Sequence, residues 1–149
     1  MPESTSSLVF PDINVWMALT YDRHIHHAAA RRWFETLEAA ARLFFCRLTQ
    51  LGLLRLLTTE AAMGRDEVMT QLGAWAAYDR WLEDGRVSFL DELPGTERLF
   101  RSLSRLRHPA PKDWADSYLV AFATACGLTL VSFDQALHAR ARRAVILQP

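Results

Sequence analysis

The stretch DWADSYLVAFATACGLTLVS, which runs from Asp113 to Ser132, decides the fold that this sequence predicts. Its first part, up to about Cys126, predicts a long and mostly apolar helix that Gly127 ends. The run from Leu128 to Ser132 is the most strand-like in the chain. A helix that leads directly into a buried strand is the repeating unit of a parallel sheet with helices on both faces.

The remaining sequence extends this alternation of helix and strand in both directions. Apolar runs predict further strands at Leu8–Phe10, Leu43–Cys46, Val87–Leu90 and Ala144–Leu147. Amphipathic periodicity predicts helices at Asn14–Leu19, at His26–Ala41, from a cap at Thr49 to Leu57, at Asp66–Glu83 with Gly85 as its C-terminal cap, and from Thr96 onward. The sequence therefore predicts an α/β fold with a central parallel sheet of about five strands flanked by helices, in a single domain over residues 1–149.

The composition narrows the class of protein before any motif is considered. Half of the 149 residues are hydrophobic and 23% are charged, which is enough to bury a core. Seventeen basic residues balance seventeen acidic ones, which excludes a broadly basic nucleic-acid binder but not a local basic patch. The polar start, Met1 to Ser7, does not resemble a secretory leader, and Cys46 and Cys126 lie far apart in apolar segments. We therefore expect a cytoplasmic protein with reduced thiols and no membrane span.

Three aspartates are predicted at one edge of the sheet. Asp12 follows the first strand, Asp134 follows the strand that ends at Ser132, and Asp116 lies in the first turns of the helix before that strand. In a parallel sheet the connecting helices begin at the edge where the strands end, and ligands bind there. We therefore expect the three carboxylates to share one cleft.

A simpler explanation exists for two of these aspartates, because aspartate is a favoured residue at helix N-caps. Asp12 and Asp134 could each cap the helix that follows them. Asp116 is harder to explain in this way, since Asp113 is better placed as the cap of its helix. A carboxylate in an apolar helix is costly unless it is exposed, paired or bound to a cation.

A metal ion would explain why the chain places three acids together. Carboxylates within about 5 Å of one another repel by roughly 3 kcal/mol per pair at an effective dielectric constant of about 20. A divalent cation would offset that repulsion, and oxygen-only ligands favour Mg²⁺ or Mn²⁺ over zinc. The chemistry that such a site predicts is activation of water for attack on phosphorus.

Five segments, in this order, resemble the PIN-domain ribonucleases, specifically the VapC toxins of bacterial VapBC toxin–antitoxin pairs. They are DINVW at 12–16, HHAAARRWF at 26–34, CRLTQLGLLR at 46–55, WADSYL at 114–119 and SFD at 132–134. The resemblance extends from Val9 to Leu147 and implies a PIN-like three-layer fold with five parallel strands. It also implies an endoribonuclease that depends on Mg²⁺ or Mn²⁺, a homodimer, a small VapB-type antitoxin as partner, and tRNA or rRNA as substrate.

The resemblance also implies roles for individual residues. Asp12 and Asp116 match metal-binding acids of the family, and Asp134 matches a further catalytic acid that supports the metal or its water. Ser132 matches a supporting hydroxyl. Asn14 matches the polar residue that commonly steadies the first acid.

One position departs from the family pattern. The family usually carries a glutamate in the short helix after the second strand, where this chain has Gln50 or, in an alternative alignment, Gly52. The next acid downstream, Glu60, is expected to lie beyond that helix. A glutamine offers one neutral oxygen, and Mg²⁺ can bind through one or two carboxylates together with waters and a substrate phosphate. The departure therefore predicts a nuclease that is active but attenuated.

Basic residues close to these acids in sequence predict contacts with RNA. Arg101 and Arg105 are four residues apart and are expected on one face of a helix. Lys112, the only lysine, and Arg140 flank the acid-bearing segments. Guanidinium groups bind phosphate through two hydrogen bonds and stack on bases, although a solvated helix face is the simpler explanation for any one of these residues.

Two other groups of residues keep more than one explanation. The histidines at 24, 26 and 27 lack the spacing that puts two metal ligands on one helical face, so a solvated helix start is favoured over a metal site. The helix predicted at 66–83 carries large apolar residues that could pack in the core or form a surface for a dimer or an antitoxin. These residues are Met69, Leu72, Trp75 and Trp81.

Two functions other than a nuclease are also consistent with the sequence. A catalytically silent PIN-like module that binds RNA or its antitoxin would explain the missing glutamate. An unrelated α/β phosphotransferase would use Asp12 as a nucleophile, but the usual second aspartate, two residues later, is Asn14 here.

Overall fold

The computed structural model describes residues 7–149, in which strands and helices alternate. The strands are β1 (Leu8–Pro11), β2 (Arg42–Phe45), β3 (Val87–Phe89), β4 (Thr129–Ser132) and β5 (Ala144–Ile146). The helices are α1 (Ile13–Thr20), α2 (His27–Glu35), α3 (Arg47–Leu57), α4 (Glu60–Met63), α5 (Gln71–Glu83), α6 (Thr96–Leu103), α7 (Asp113–Cys126) and α8 (Gln135–Arg140). None of the helices between residues 7 and 149 is long and apolar enough to cross a membrane. The expectation about a secretory leader falls on the first residues of the chain, of which 1–6 lie outside the described range.

All five strands form one parallel sheet in the order β3-β2-β1-β4-β5, which confirms the predicted fold class. The central strand is β1, and its last residue, Pro11, pairs in register with Val131 of β4. The chain leaves the sheet at Asp12, whose backbone N–H still donates to the carbonyl of Val131 at 2.9 Å. This register places Asp12 beside Ser132, the last residue of β4.

Successive residues of the central strand point to opposite faces of the sheet, and each face buries its own core. Val9 belongs to the cluster around Trp16, which α1, α3 and α5 cover. Phe10 belongs to the cluster around Phe122, its ring centroid 5.0 Å away, which α7 and α8 cover. Helices on both faces of one sheet make the three layers that the family resemblance implies.

The second helix is shorter than predicted. It ends at Glu35 and does not reach Ala41. The hydroxyl of Thr36 donates to the carbonyl of Trp33 at 2.6 Å, a side-chain bond that competes with continuation of the helix. Leu37 still packs against the core, so the apolar periodicity of the sequence outlasts the helix itself.

The N-cap of α3 is Cys46, and the predicted cap at Thr49 is wrong. Thr49 is fully buried at the third position of the helix, where its hydroxyl oxygen accepts a hydrogen bond from the Cys46 backbone N–H at 3.0 Å. The helix ends at Leu57, as predicted. Because α3 begins earlier than predicted, Gln50 lies one turn inside it.

The fifth helix ends at Glu83, as predicted, but its start and its C-terminal cap differ from the prediction. Thr70 is its side-chain cap, so residues 66–70 lie outside the helix. The predicted C-terminal cap, Gly85, is wrong, because the C-cap is Asp84 in an extended conformation. The carboxylate of Asp84 instead accepts two hydrogen bonds from the Arg86 guanidinium, at 2.8 and 3.1 Å, and these bonds close the turn before β3.

The helix that decided the fold matches its predicted bounds. Helix α7 ends at Gly127, whose φ of +66° lies in the left-handed region that glycine adopts without steric cost. The cap at its other end is Lys112, and the predicted cap, Asp113, is the first helical residue. Cys46 and Cys126 are both free thiols.

Candidate active site

Asp12 is a buried carboxylate held by two hydrogen bonds. It is only 5% exposed, and it caps α1 by accepting the Val15 backbone N–H on Oδ1 at 2.9 Å. Its Oδ2 accepts the hydroxyl of Ser132 at 2.5 Å. Burial, together with the smaller effects of the charges of Asp134 and Asp116, raises the pKa of Asp12 to about 6 against the two hydrogen bonds.

Ser132 connects this carboxylate to the start of the next helix. While its hydroxyl donates to Asp12, the same oxygen accepts the backbone N–H of Asp134 at 2.9 Å. Ser132 is 1% exposed, so the connection is shielded from water. The serine therefore fixes the end of β1 relative to the loop that begins α8.

Asp134 caps α8 and keeps one oxygen available. Its Oδ1 accepts the backbone N–H groups of Ala136 and Leu137, at 2.8 and 3.4 Å. Its side chain is exposed, and no hydrogen bond among residues 7–149 reaches Oδ2. Capping therefore accounts for part of what Asp12 and Asp134 do, and it leaves room for a second role.

Asp116 lies in the first turn of α7 and is partly buried. Burial raises the pKa of its carboxyl, the charge of Asp134 adds to the rise, and the guanidinium of Arg140 opposes it. Asp113 does not cap the helix but accepts the Ser117 hydroxyl at 2.7 Å and an Arg140 N–H at 2.8 Å.

The charges of Asp134 and Asp116 add to the rise in the pKa of Asp12 that burial causes, while the single cleft predicted for all three aspartates stays a prediction. Within the described part of the chain, no three His, Cys, Asp or Glu side chains lie close enough together to enclose a metal ion. Mg²⁺ needs less than that, because it binds through one or two carboxylates and retains several waters. A donor set made only of oxygens, in which neighbouring charges raise the pKa of Asp12 and Asp116, fits such a cation.

Gln50 is buried at 6% exposure, and its carbonyl oxygen is already engaged. The Oε1 atom accepts an N–H of the Arg47 guanidinium at 2.6 Å, and that guanidinium lies over the ring of Phe89 at 4.6 Å. The side chain of Gln50 also contacts Tyr78 through a hydrogen bond that opposes the rise in the tyrosine pKa caused by burial. Sequence reasoning missed Arg47, although its spacing of three residues from Gln50 on a helix predicts such a contact.

The alternative alignment at Gly52 meets a steric obstacle. A Cβ atom at this position would lie 2.5 Å from the side chain of Ile13, closer than real Cβ contacts allow. Glycine therefore lets α3 pack against α1 just behind Asp12. A glutamate at this position would require the side chain of Ile13 to shift.

Asn14 is exposed on α1. The hydrogen bonds that steady Asp12 come from Val15 and Ser132, so the support that the resemblance assigns to Asn14 is provided by a backbone N–H and a hydroxyl. Both oxygens of Asp12 are bonded and the side chain is buried, which makes it a poor nucleophile and disfavours the phosphotransferase alternative.

The basic residues separate into two groups. Arg101 and Arg105 are exposed and line one groove of about 380 Å³ with Phe100 and Trp114. They do not share a helix face, because α6 ends at Leu103. Arg101 makes an exposed ion pair with Glu97 at 3.1 Å, and Lys112 is exposed at the start of α7.

Arg140, in contrast, is partly buried and its donors are used within the protein. Its guanidinium donates to Asp113 at 2.8 Å, to the Ser117 hydroxyl at 2.7 Å and to the carbonyl of Leu103 at 3.3 Å. Its predicted contact with RNA would compete with all three bonds, so its geometry favours a structural role.

The histidines lie near the site without forming a metal-binding group within residues 7–149. The ring of His27 bonds to the carbonyl of Ala18 at 2.7 Å, and the ring of His26 stacks on Phe133 with centroids 4.7 Å apart. Phe133 lies between Ser132 and Asp134 in the chain. Its stacking with His26 could not be predicted from the spacing of the sequence.

The large apolar residues of the helix predicted at 66–83 fall into two groups in the structure, one buried and one exposed. Trp81 and Met69 pack against the core, Trp81 with its ring against Trp16. Leu72 and Trp75 point outward, 82% and 45% exposed. A second exposed apolar surface combines Leu51 of α3 with Trp114 of α7, each 58% exposed, beside a groove of about 460 Å³.

The sheet and its acidic edge define a class of protein: a single-sheet α/β domain with aspartates at the carboxyl ends of its two central strands. A family model described as PIN domain matches residues 9–143, so the chain belongs to the PIN-domain family, which confirms the resemblance.

One similar protein places the chain among VapC-type members, and two solved structures share its fold. Ribonuclease VapC41 of Mycobacterium tuberculosis is 42% identical over 128 residues, which cover 84% of this chain and 88% of that protein. The crystal structure of M. tuberculosis VapC20, described as a toxin that cleaves the sarcin–ricin loop, matches with a TM-score of 0.64 at 18% identity over 89% and 94% of the two chains. The structure of VapBC-1 from nontypeable Haemophilus influenzae matches with a TM-score of 0.63 at 15% identity over 93% and 97%. At these identities the two structures support the fold.

Proposed function

We propose that this protein is the toxin of a VapBC-type pair and an endoribonuclease that hydrolyses phosphodiester bonds in RNA with the help of Mg²⁺ or Mn²⁺. The observation that carries the proposal is the buried carboxylate of Asp12, tied through Ser132 to Asp134 and coupled electrostatically to Asp116. A relative named as a ribonuclease, at 42% identity over most of the chain, supports the same activity.

Each acid has a distinct role in the proposed reaction. Asp12 and Asp116 would hold the cation, which when bound supplies an activated water and stabilises charge on phosphate oxygens. Ser132 keeps Asp12 from rotating and, by donating a hydrogen bond, favours its charged form. Asp134 has an exposed oxygen that accepts a proton-bearing ligand such as water.

The substrate would lie across the carboxyl edge of the sheet. Arg101, Arg105 and Lys112 are exposed near the start of α7, where they can bind phosphate groups. VapC20 is described as cleaving the sarcin–ricin loop, which supports a structured RNA, tRNA or rRNA, as the substrate class here. We place the protein in the cytoplasm on the same basis.

Two protein partners belong to the same proposal. The exposed apolar surfaces, Leu72 with Trp75 and Leu51 with Trp114, are the surfaces available for a homodimer and for a small VapB-type antitoxin. The likeness to a VapBC complex supports the antitoxin.

The direct test is cleavage of total tRNA and rRNA by the purified chain with Mg²⁺, with Mn²⁺ and with EDTA. We expect specific fragments only when a metal ion is present, and none from Asp12→Asn. Asp66→Asn, a change at an exposed aspartate outside the site, is the matched control and should cleave like the unmodified protein. Cleavage that persists in EDTA would contradict the proposal.

One observation favours the silent module as a second candidate. The Gln50 oxygen accepts a hydrogen bond from Arg47, so the position where the family carries a glutamate offers only a neutral oxygen that already faces a cationic group. A silent module would bind RNA tightly in a gel-shift assay and leave it intact under every metal condition. The cleavage assay therefore separates the two candidates.

A further inference from the structure

One guanidinium joins the two helices that carry two of the proposed metal-site acids. Arg140, the last residue of α8, bonds to Asp113 and Ser117 of α7 at 2.8 and 2.7 Å. It also reaches the Leu103 carbonyl at the end of α6 at 3.3 Å. The side chains of the Arg140–Asp113 ion pair are only 28% and 24% exposed, so solvent competes weakly for them.

The contacts of Arg140 lie close in sequence to Asp116 and Asp134. Asp113 and Ser117 flank Asp116 in the first turns of α7. The guanidinium therefore bonds to the helix at the turn that carries Asp116. At the other end of α8, Asp134 is the N-cap. One end of α8 therefore holds Asp134, and the other end bonds to the turn of α7 that carries Asp116, so α8 fixes the two acids relative to each other.

The geometry requires an arginine. A guanidinium is planar and presents several N–H donors in a fixed fork, so it can bond to a carboxylate, a hydroxyl and a carbonyl at once. A lysine ammonium is a compact charge on a flexible stem and would keep one or two of these bonds. The hydroxyl of Ser117 both accepts from Arg140 and donates to Asp113, which closes a ring of three side chains.

We infer that Arg140 is a positioning residue, which sets the separation of Asp116 and Asp134 and thereby the affinity of the site for a divalent cation. The inference rests on the proposed function, because it assumes that Asp116 binds the metal and that Asp134 supports the metal or its water. Outer partners that orient metal ligands typically contribute about 10- to 100-fold to metal affinity.

Charge alone predicts the opposite effect of removing Arg140 on cation affinity, so a binding experiment can separate the two causes. A positive charge near the site repels a cation, so removal of Arg140 by itself strengthens cation binding. Weaker binding after its removal would come from lost positioning. A merely stabilising role would lower the unfolding temperature and leave the affinity of the folded protein unchanged or increased.

The experiment measures Mn²⁺ binding to the folded chain by electron paramagnetic resonance, with circular dichroism to verify folding. We expect Arg140→Gln to bind Mn²⁺ about tenfold more weakly, Arg140→Lys to lie between it and the unmodified protein, and Arg142→Gln, a change at an exposed arginine nearby, to have no effect. If Arg140→Gln fails to fold, Ser117→Ala is the second variant. It removes one partner of the guanidinium, keeps the charge, and should weaken binding by a smaller factor.

The outcomes separate the inference from the proposed function. Unchanged or tighter Mn²⁺ binding in both Arg140→Gln and Ser117→Ala overturns the inference while the metal site stands. Absence of Mn²⁺ binding by the unmodified protein, or binding that Asp12→Asn and Asp116→Asn leave intact, overturns the proposed metal site and the inference with it.

Discussion

The carboxyl edge of the sheet is built differently on the two sides of β1. On the β4 side, Ser132 ties Asp12 to the Asp134 loop, and burial, with a smaller effect of neighbouring negative charges, raises the pKa of Asp12. On the β2 side, the first turns of α3 present the neutral Gln50, whose oxygen accepts a hydrogen bond from Arg47. The two hydrogen bonds to Asp12 come from neutral donors, whereas the oxygen of Gln50 accepts from a cationic guanidinium.

This difference shows that the missing glutamate is part of a local arrangement. Arg47 lies over Phe89, and one of its N–H groups donates to the Gln50 amide. A glutamate in place of Gln50 would turn this hydrogen bond into an ion pair. The proposed metal binding would then depend on the β4 side. The predictions that follow test each side in turn.

The largest effect is expected from the β4 side, in the chemistry itself. Asp12→Asn keeps a side chain that caps α1, since asparagine and aspartate cap equally well, but it removes the central negative charge. We expect RNA cleavage to fall by at least about 100-fold, beyond the loss typical of outer partners of a metal site. Initial rates at saturating Mg²⁺ measure it, and a loss of less than about tenfold would contradict a central role for Asp12.

The same substitution should stabilise the metal-free protein. Because burial raises the pKa of Asp12 from 3.8 to about 6, the folded state binds its proton more tightly than the unfolded state. The stability that this protonation contributes is complete below pH 3.8 and is lost as the pH rises to about 6. Asp12→Asn removes the penalty, so at pH 7.5 it should raise the free energy of unfolding by up to about 3 kcal/mol.

Urea unfolding of both proteins in EDTA, at pH 4 and at pH 7.5, measures this difference. The gain should nearly vanish at pH 4, where the carboxyl is protonated in the folded state. An equal difference at the two pH values would show that the effect comes from packing and not from charge. Saturating Mn²⁺ should stabilise only the unmodified protein.

The sequence and the structure agree where local chemistry and the sheet pattern act together. The α7–β4 unit, the five strands and the meeting of Asp12 with Ser132 follow from apolar periodicity and from the rule that parallel strands end at one edge. Helix ends were predicted less well. Thr36 and Thr49 use their hydroxyls on the backbone in ways that periodicity does not encode.

The contacts that the sequence did not predict join residues far apart in the chain. Arg140 meets Asp113 across 27 positions, and nothing in the spacing of either residue signals it. The sequence indicated a cluster of basic residues near the acids. The packing of α8 on α7 directs the donors of Arg140 to groups within the protein and away from RNA. Exposure, which sequence patterns do not report, also separated Trp81 from Trp75.

A smaller effect on the β4 side is expected from Ser132→Ala. The change leaves an oxygen of buried Asp12 without its donor, which costs about 1–3 kcal/mol at neutral pH. It should also raise the pKa of Asp12 above about 6, because the lost hydrogen bond favoured the charged form. The midpoint of Mn²⁺ binding against pH should shift upward, whereas Ser88→Ala, a change at an exposed serine of β3, should not move it.

The smallest effect is expected on the β2 side. Gln50→Glu places a carboxylate where Oε1 accepts the Arg47 N–H at 2.6 Å, so the new charge should pair with the guanidinium and not with a metal ion. We expect Mn²⁺ affinity to rise by less than about threefold, because the new carboxylate is already paired with the Arg47 guanidinium. Adding Arg47→Met frees the carboxylate and should raise the affinity by about tenfold, since ligand charge sets cation affinity. Arg47→Met alone serves as the control and adds no ligand. A full gain from Gln50→Glu alone would show that this position already faces the cation, and the two sides of β1 would then act as one site.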